Sequence, residues 1–183
     1  YLIDILGKLN NICTLSIDST KNFKSIFASN KNKFNQNDHD ISTIDAQNLY
    51  PNVNLTKVIN FILEKIYENP SYYFGNTDDE NNPTIGIPPQ KIFEKFLKSI
   101  LIEFNCFSSL NGYYRQTSGC SMGSRLSPVL GNIYLYLMEK SIVEDEMKKG
   151  NIIQYYRYVD DILLSTKKGK ENFIIQRLNN FDP

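Results

Sequence analysis

The chain has 183 residues, which is enough for one domain with a hydrophobic core or for a piece of a larger protein. Its 20 basic and 20 acidic residues balance, so nucleic-acid binding would require a local basic patch or further segments rather than a global field. Three cysteines without CxxC spacing and a single histidine exclude a disulfide framework, a zinc site and a Ser-His-Asp triad as first hypotheses.

Helical and extended patterns fill the first part of the chain. "YLIDILGKLN" has apolar residues at helical spacing and predicts a helix, and "TKNFKSIFASNKNKF" predicts a second one. "NQNDHD", which contains His39, is predicted to be a solvated loop before a short strand, "ISTID", that ends at Asp45. An amphipathic helix is expected from Leu55 to Glu68, with Asn54 as its N-cap.

The middle of the chain combines turn-rich and helical segments. "ENPSYYFGNTDDENNPTIGIPP" predicts an exposed insertion around residues 69–89, followed by a helix from Gln90 to Phe104. "CFSSLNGYYRQ" predicts a hairpin in which Asn111–Gly112 supplies the positive φ angles of the turn. A Gly/Ser-rich loop, "SGCSMGSRLSP", then leads into a long helix from about Ser127 to Lys149, ended by Gly150.

A hairpin and a helix are predicted for the last part of the chain. Two β-rich runs, "NIIQYYRYV" and "ILLST", are separated only by Asp160–Asp161, which places both carboxylates at the turn. "GKENFIIQRLNNF" follows as a helix. Strands interleaved with helices predict an α+β fold whose helices pack on one face of the sheet. No apolar run is long enough to span a membrane, and the first residues do not resemble a signal peptide.

The adjacent aspartates are the most informative feature of the sequence. Two carboxylates fixed at a hairpin tip repel each other unless a cation compensates them, and Mg²⁺ prefers such hard oxygen ligands. Asp45 ends another short strand, so Asp45, Asp160 and Asp161 together would hold two metal ions, as phosphoryl-transfer enzymes do. The alternative is three solvated turn aspartates without a catalytic role, because Asp favours turns.

Three motifs resemble those of reverse transcriptases. "YVDD" between β runs resembles the catalytic hairpin of that family, and "DAQNLY" resembles its first carboxylate motif, in which an aromatic residue, here Tyr50, stands five positions after the Asp. "RQTSGCSMGSRLSPVLGNIYLYLME" resembles the family's Gln/Gly loop and following helix, although Arg125 stands where Pro is usual. The motifs also occur in the family's order. The amino-acid sequence of these motifs is most similar to that of the Penelope-like retroelement branch, which is related to telomerase.

The resemblance implies a fold and a domain organisation. The expected architecture is a polymerase palm, a ferredoxin-like antiparallel sheet with helices packed on one face, plus part of the fingers. Residues 1–40 would be a partial fingers segment and residues 41–183 the palm, with a thumb absent. Because the chain begins without Met and ends inside "NNFDP", we expect it to be a piece of a longer protein.

The resemblance also implies a function, RNA-directed DNA polymerase activity of a retroelement. Its partners would be an RNA template, a DNA primer and a dNTP, and its cofactor two Mg²⁺ ions, with Mn²⁺ as an alternative. Asp45, Asp160 and Asp161 would be catalytic metal ligands, joined by the backbone carbonyl of Ala46. The expected nucleotide-binding residues are Tyr50, Gln116, Gly119, Met122 and Gly123, and the expected nucleic-acid-binding residues are Ser124, Arg125 and Tyr158.

Two other functions compete with this interpretation. An RNA-dependent RNA polymerase also carries an acidic strand end and an acidic hairpin, but a bulky ring at Tyr50 argues against it, because such a ring would exclude the 2′-hydroxyl of a ribonucleotide. The third hypothesis is a decayed polymerase fold that only binds nucleic acid or protein. A eukaryotic retroelement enzyme would be expected in the nucleus.

Overall fold

The structure is a computed structural model that describes residues 2–13, 16–17, 19–74, 86–121 and 123–182. Short 3-10 or π-helical segments follow three of the α-helices, at Lys31–Lys33, Ser99–Glu103 and Glu139–Val143. The α-helices and strands are, in chain order, α1 (Leu2–Asn10), α2 (Thr20–Asn30), β1 (His39–Asp45), α3 (Leu49–Asn52), α4 (Leu55–Glu68), α5 (Pro70–Phe74), α6 (Gln90–Lys98), β2 (Cys106–Ser109), β3 (Gly112–Arg115), α7 (Ser127–Met138), α8 (Glu144–Lys148), β4 (Ile152–Tyr158), β5 (Asp161–Lys167) and α9 (Glu171–Asn179).

The chain divides into two compact units. The first consists of Tyr1–Ile12 and Tyr50–Tyr134, and the second of Cys13–Leu49 and Leu135–Pro183. The first unit therefore holds α1, α4, α5, α6 and the β2–β3 hairpin. The second holds α2, α8, α9 and the strands β1, β4 and β5. No helix of the described ranges combines the length and apolar character needed to cross a membrane.

The first unit is a helical assembly in which α4 packs against α1, α5 and α6. As predicted, α4 begins after Asn54, whose side-chain oxygen accepts a hydrogen bond from the Lys57 N–H at 3.1 Å. Its buried face meets apolar residues of the neighbouring helices. The buried side chains of these four helices include Ile5, Leu6, Leu9, Val58, Ile59, Ile62, Ile66, Tyr73, Phe74, Phe93 and Leu97.

The predicted insertion is partly wrong, because its first residues belong to the core. Pro70–Phe74 forms α5, in which Tyr73 and Phe74 are buried, and the Phe74 ring lies 5.5 Å from that of Phe93 in an edge-on contact. The free energy gained by burying the apolar side chains of "YYF" therefore exceeds the preference of the surrounding residues for turns. Residues 75–85 of the predicted insertion lie outside the described residues, and residues 86–89 form neither helix nor strand.

The predicted β2–β3 hairpin forms, but its turn lies one residue earlier. Ser109 pairs with Gly112, so the two connecting residues are Leu110 and Asn111. Within the hairpin, residues 106–115, Gly112 alone takes a positive φ, of 133°. The predicted positive φ at Asn111 is therefore wrong, and the glycine alone provides the unusual backbone angle.

The second unit is built on an antiparallel sheet with strand order β1-β5-β4. β5 pairs with β1 along its whole length, from His39 opposite Lys167 to Asp45 opposite Asp161. The strand begins before the predicted "ISTID", so His39 is a strand residue rather than a loop residue. Its Nδ1 accepts the Asn35 N–H at 3.0 Å. This register fixes which side chains share each face of the sheet.

The two faces of this sheet differ in character. One face is buried and carries Tyr155, Arg157, Ile162 and Leu164, which alternate along β4 and β5. The other face carries Tyr156, whose ring is met edge-on by Phe23 of α2 at 5.7 Å. The predicted last helix is present as α9, and the predicted long helix after "SGCSMGSRLSP" is present as α7, a π-helical segment and α8.

Candidate active site

The sheet of the second unit brings the predicted carboxylates together at one end. Asp45 is the last residue of β1 and lies directly opposite Asp161, the first residue of β5. Asp161 in turn lies opposite Tyr158, the last residue of β4. Residues directly opposite in an antiparallel pair have Cβ atoms about 4.5–5.5 Å apart and share a face, so these three side chains form one row. We call Asp45, Asp161 and Tyr158 the acidic row; all three are exposed.

The third carboxylate lies in the turn that connects β4 to β5. The turn consists of Val159 and Asp160, so the predicted Asp160–Asp161 turn is wrong by one residue and Asp161 is already part of the ladder. The carbonyl of Asp160 accepts the N–H of Ala46 at 3.2 Å, which ties the turn to the residue after Asp45. Sequence segments more than 110 residues apart thus meet through backbone bonds as well as through the acidic row.

Val159 has a backbone conformation that residues with a β-branched side chain rarely adopt. Its φ is +57°, in the left-handed region, where a β-branched residue is a clear exception. Such a conformation costs roughly 1–3 kcal/mol and persists only where the surroundings hold it. Backbone strain of this kind is concentrated at functional sites, and here it occurs beside a predicted catalytic residue.

A buried ion pair supports this turn from the covered face of the sheet. Arg157 is 1% exposed and Glu139 is 0% exposed, and the Arg157 Nε donates to the Glu139 carboxylate at 2.5 Å. The Tyr155 hydroxyl also donates to Glu139, at 2.9 Å, and the Arg157 Nη1 donates to the Val159 carbonyl at 3.0 Å. Burial is the largest single effect and disfavours the charged guanidinium, but the hydrogen bond to Glu139 and the attraction of its charge together exceed it and raise the pKa of Arg157. Removing one partner of such a pair costs about 3–5 kcal/mol.

Sequence reasoning gave Arg157 and Glu139 no role. The available signal was the strand alternation, which places Arg157 on the same face as Tyr155 and thus on the covered side. Glu139 follows the apolar run "NIYLYLM", which predicts a buried helix face and so a buried carboxylate. Neither pattern predicts that Arg157 and Glu139 form an ion pair, because this pairing depends on the packing of the π-helical segment against β4.

The chemistry of the acidic end of the sheet fits a hard divalent cation. Asp45 and Asp161 present carboxylates from neighbouring strands, and Mg²⁺ is usually bound by one or two carboxylates together with substrate phosphates and water. Within residues 2–13, 16–17, 19–74, 86–121 and 123–182, no three His, Cys, Asp or Glu side chains are placed to hold an ion together. Asp45 and Asp161 would therefore provide only part of a coordination sphere, and further oxygen ligands would have to complete it.

A cavity of about 380 Å³ lies beside the acidic row in the second unit. Its wall includes Asp45, Asp161 and Tyr158, with Phe23 and Ile17 among the apolar side chains that line it. Clefts of this size with mostly apolar walls and a few polar groups are typical ligand sites. The acidic row thus borders a recess rather than a flat surface.

The first unit contains the predicted Gly/Ser-rich loop, where Gly119 packs against backbone. A Cβ at this glycine would lie 2.3 Å from the carbonyl oxygens of both Tyr50 and Pro51, and its φ is +69°. The next residue, Cys120, donates its N–H to the Tyr50 carbonyl at 2.7 Å. The sequence predicted that Gly119 lets a nucleotide approach. The structure shows that the missing side chain also leaves room for the chain at Tyr50–Pro51, and the nucleotide-binding role of Gly119 stays a prediction.

The other predicted loop residues have varied surroundings. The Gln116 Nε2 donates to the Ser118 carbonyl at 2.7 Å, and the Ser124 Oγ accepts the Leu126 N–H at 3.2 Å before α7 begins. Gly123 has a φ of +92° and open space where a Cβ would be, and Arg125 is exposed. Met122 lies outside the described residues. The nucleotide- and nucleic-acid-binding roles of these residues remain predictions.

The comparison with protein families decides the identity of the fold. The family profile described as Reverse transcriptase (RNA-dependent DNA polymerase) matches residues 4–181. The chain belongs to the reverse transcriptase family. The predicted family is therefore confirmed, and the match covers both units, including the acidic row and the Gly/Ser-rich loop. A comparison with curated proteins finds no match.

Solved structures with the same reverse transcriptase fold include two telomerases. The structure of apo telomerase from Candida tropicalis, truncated from its C-terminal domain, matches 98% of this chain with a TM-score of 0.66 and 14% identity. Telomerase from Candida albicans in complex with the TWJ fragment of telomeric RNA matches 98% with a TM-score of 0.60 and 17% identity. The chain covers 37% and 31% of those chains, respectively. The predicted α+β polymerase fold is confirmed by this likeness.

Proposed function

We propose that the protein is an RNA-directed DNA polymerase that adds a dNTP to a primer 3′-hydroxyl opposite an RNA template. The observation that carries the proposal is the pairing of Asp45 with Asp161 across two strands, with Asp160 in the adjoining turn bonded to Ala46. Like charges directly opposite in a sheet are destabilising, so their presence in a reverse transcriptase fold favours a catalytic role. Membership of the family supports the same reaction class.

The carboxylates would hold two Mg²⁺ ions, for which Mn²⁺ would substitute. Asp45 and Asp160 would be the main ligands, with Asp161 as a further ligand and the carbonyl of Ala46 completing the sphere. When bound, the ions supply charge compensation and polarisation at the reacting phosphate. The chain itself orients these ligands through the β1–β5 register and through the Ala46–Asp160 backbone bond.

Substrate choice would depend on the residues that the resemblance assigns to nucleotide and nucleic-acid binding. Tyr50 would exclude the 2′-hydroxyl of a ribonucleotide with its ring, because RNA precursors differ from DNA precursors in that group. The other residues that would contact the nucleotide or its template base are Gln116, Gly119, Met122 and Gly123. Ser124, Arg125 and Tyr158 would contact the template or primer strand, with Arg125 as the cation for a backbone phosphate.

A retroelement origin and a palm assignment accompany this proposal. The sequence resemblance to Penelope-like elements supports the origin, and a nuclear site of action would follow for a eukaryotic element. Residues 41–183 would be the palm, whose three carboxylates lie in the second unit, and residues 1–40 would belong to the fingers. The chain spans about a third of the length of the telomerase chains it resembles. The use of an RNA template and a DNA primer is therefore part of the proposal.

Primer extension tests the function. The protein is incubated with Mg²⁺, an RNA template and an annealed DNA primer, and either dNTPs or rNTPs are supplied. We expect extension with dNTPs, loss of extension in Asp160→Asn, and gain of rNTP incorporation in Tyr50→Ala. Product from rNTPs alone would identify an RNA polymerase. Absence of product from both would indicate a fold that only binds nucleic acid or protein.

A further inference from the structure

The buried ion pair of the second unit is connected to the turn that carries Asp160. One guanidinium makes three contacts: its Nε and Nη2 donate to the two oxygens of Glu139 at 2.5 and 3.2 Å, and its Nη1 donates to the Val159 carbonyl at 3.0 Å. The backbone carbonyl of Arg157 is itself held by the Ile17 N–H at 2.7 Å. The side chain thus links a helical segment to the turn while its own backbone is fixed.

Stability alone does not explain a buried pair of charges at this place. Well-packed apolar residues of similar volume are often as stabilising as a buried ion pair, or more so. The arginine offers something they lack, a planar fork that binds a carboxylate with two donors and leaves a third donor free. That third donor is used at Val159, the residue with φ +57°, whose conformation must be held by its surroundings.

We infer that Arg157, oriented by Glu139 and Tyr155, is a positioning residue that holds the Val159–Asp160 turn so that Asp160 stays beside Asp45. The guanidinium touches neither substrate nor reacting atoms in this arrangement; it acts on the turn through the Val159 carbonyl. The bond from Ala46 to the Asp160 carbonyl reports whether the turn is in place, because it forms only when β1 and the turn are in register. The kinetic consequence of this inference rests on the proposed polymerase function.

Two variants separate the positioning role from the general stability of the fold. Arg157→Lys keeps a cation opposite Glu139, but a single ammonium cannot bind the carboxylate at two oxygens and reach the Val159 carbonyl as well. Glu139→Gln/Arg157→Met removes both charges and leaves the glutamine carbonyl as an acceptor for the Tyr155 hydroxyl. The double variant avoids an unpaired buried charge and is expected to fold. Arg177→Lys is the matched control, since Arg177 pairs with Asp145 and Glu146 elsewhere in the same unit.

Amide hydrogen exchange measures the turn without requiring activity. In both test variants we expect amide exchange at residues 45–47 to accelerate by at least about tenfold. This factor corresponds to the loss of one hydrogen bond from a charged donor, here the bond from Arg157 to the Val159 carbonyl. Residues 163–166 of the same sheet should exchange as in the unaltered protein, and Arg177→Lys should leave residues 45–47 unchanged. Unaltered exchange at residues 45–47 in both test variants would overturn the inference. So would equal acceleration across the whole sheet, which would indicate a purely structural role.

Single-nucleotide kinetics provide the second measurement. A displaced Asp160 should lower kcat by about tenfold to a hundredfold and leave the KM for dNTP within about threefold, because the nucleotide still binds but the reacting geometry is lost. An equal loss in kcat for Arg177→Lys, or a change in KM alone, would contradict the positioning role. If the unaltered protein adds no nucleotide, the polymerase proposal fails, whereas the exchange experiment still decides the role of Arg157.

Discussion

Replacing Gly119 with alanine would force a methyl group against backbone that has no room for it. The new Cβ would lie 2.3 Å from the carbonyl oxygens of Tyr50 and Pro51, whereas carbon and oxygen normally approach to about 3.3–3.6 Å. A backbone shift of about 1 Å is therefore needed, and overpacking of this kind costs about 1–3 kcal/mol. The left-handed φ of +69° adds about 1–2 kcal/mol, and weakening the Cys120–Tyr50 hydrogen bond adds about 1 kcal/mol. Together we expect a destabilisation of about 3–6 kcal/mol.

Chemical and thermal unfolding measure this effect. For a chain of this size the loss corresponds to a fall in melting temperature of roughly 6–24 °C. The matched control is Gly123→Ala in the same loop, where φ is +92° but a Cβ meets nothing within 4 Å, so it should cost only about 1–2 kcal/mol. A second control, Gly7→Ala, lies in α1 with open space and should stabilise by about 0.5–1 kcal/mol. If Gly119→Ala is no more destabilising than Gly123→Ala, the steric reasoning is refuted.

Three further predictions concern charge, thiols and the core. Asp45→Asn or Asp161→Asn should raise the free energy of unfolding by a few tenths to about 1 kcal/mol, because a like-charge pair is removed; a fall in denaturation experiments would contradict this. Cys106 is exposed, whereas burial raises the pKa of Cys13 and Cys120 to about 12. Ellman's reagent at pH 8 should therefore modify one thiol in the folded protein and three after unfolding. Because the unfolded thiols titrate near 9, stability should fall as the pH rises from about 9 to 12, and a flat profile would oppose that assignment. Phe74→Ala should cost about 3–5 kcal/mol and the exposed Tyr72→Ala much less; equal costs in unfolding experiments would remove α5 from the core.

The sequence predicted those elements whose own residues determine them. The apolar spacing and the Asn54 cap were sufficient for α4, since both signals are local. Asp45, followed along the chain by Tyr50, could be placed at a strand end from the motif alone. The turn at Asp160 was misplaced by one residue because Asp161 pairs with both Asp45 and Tyr158, and this ladder depends on strands distant in sequence.

Features created by packing between distant segments could not be predicted. The turn-forming residues around "YYF" predict a loop, but the Phe74 ring packs edge-on against the ring of Phe93. Gly119 reads as a flexible loop residue, and only the approach of the Tyr50 carbonyl explains why a side chain is excluded there. The pairing of Glu139 with Arg157 is of the same kind, because neither local pattern specifies the other partner.

The most direct test of the proposed function is single-nucleotide incorporation on an RNA template by Asp45→Asn and Asp160→Asn, compared with Asp40→Asn. Asp40 lies on the same strand as Asp45 but at its other end, where its carboxylate accepts the Gly169 N–H. We expect both test variants to lose at least about a hundredfold in rate, because charge stabilisation at a reacting phosphate is lost, while Asp40→Asn keeps the rate of the unaltered protein. Equal rates in all four proteins would contradict the proposed function.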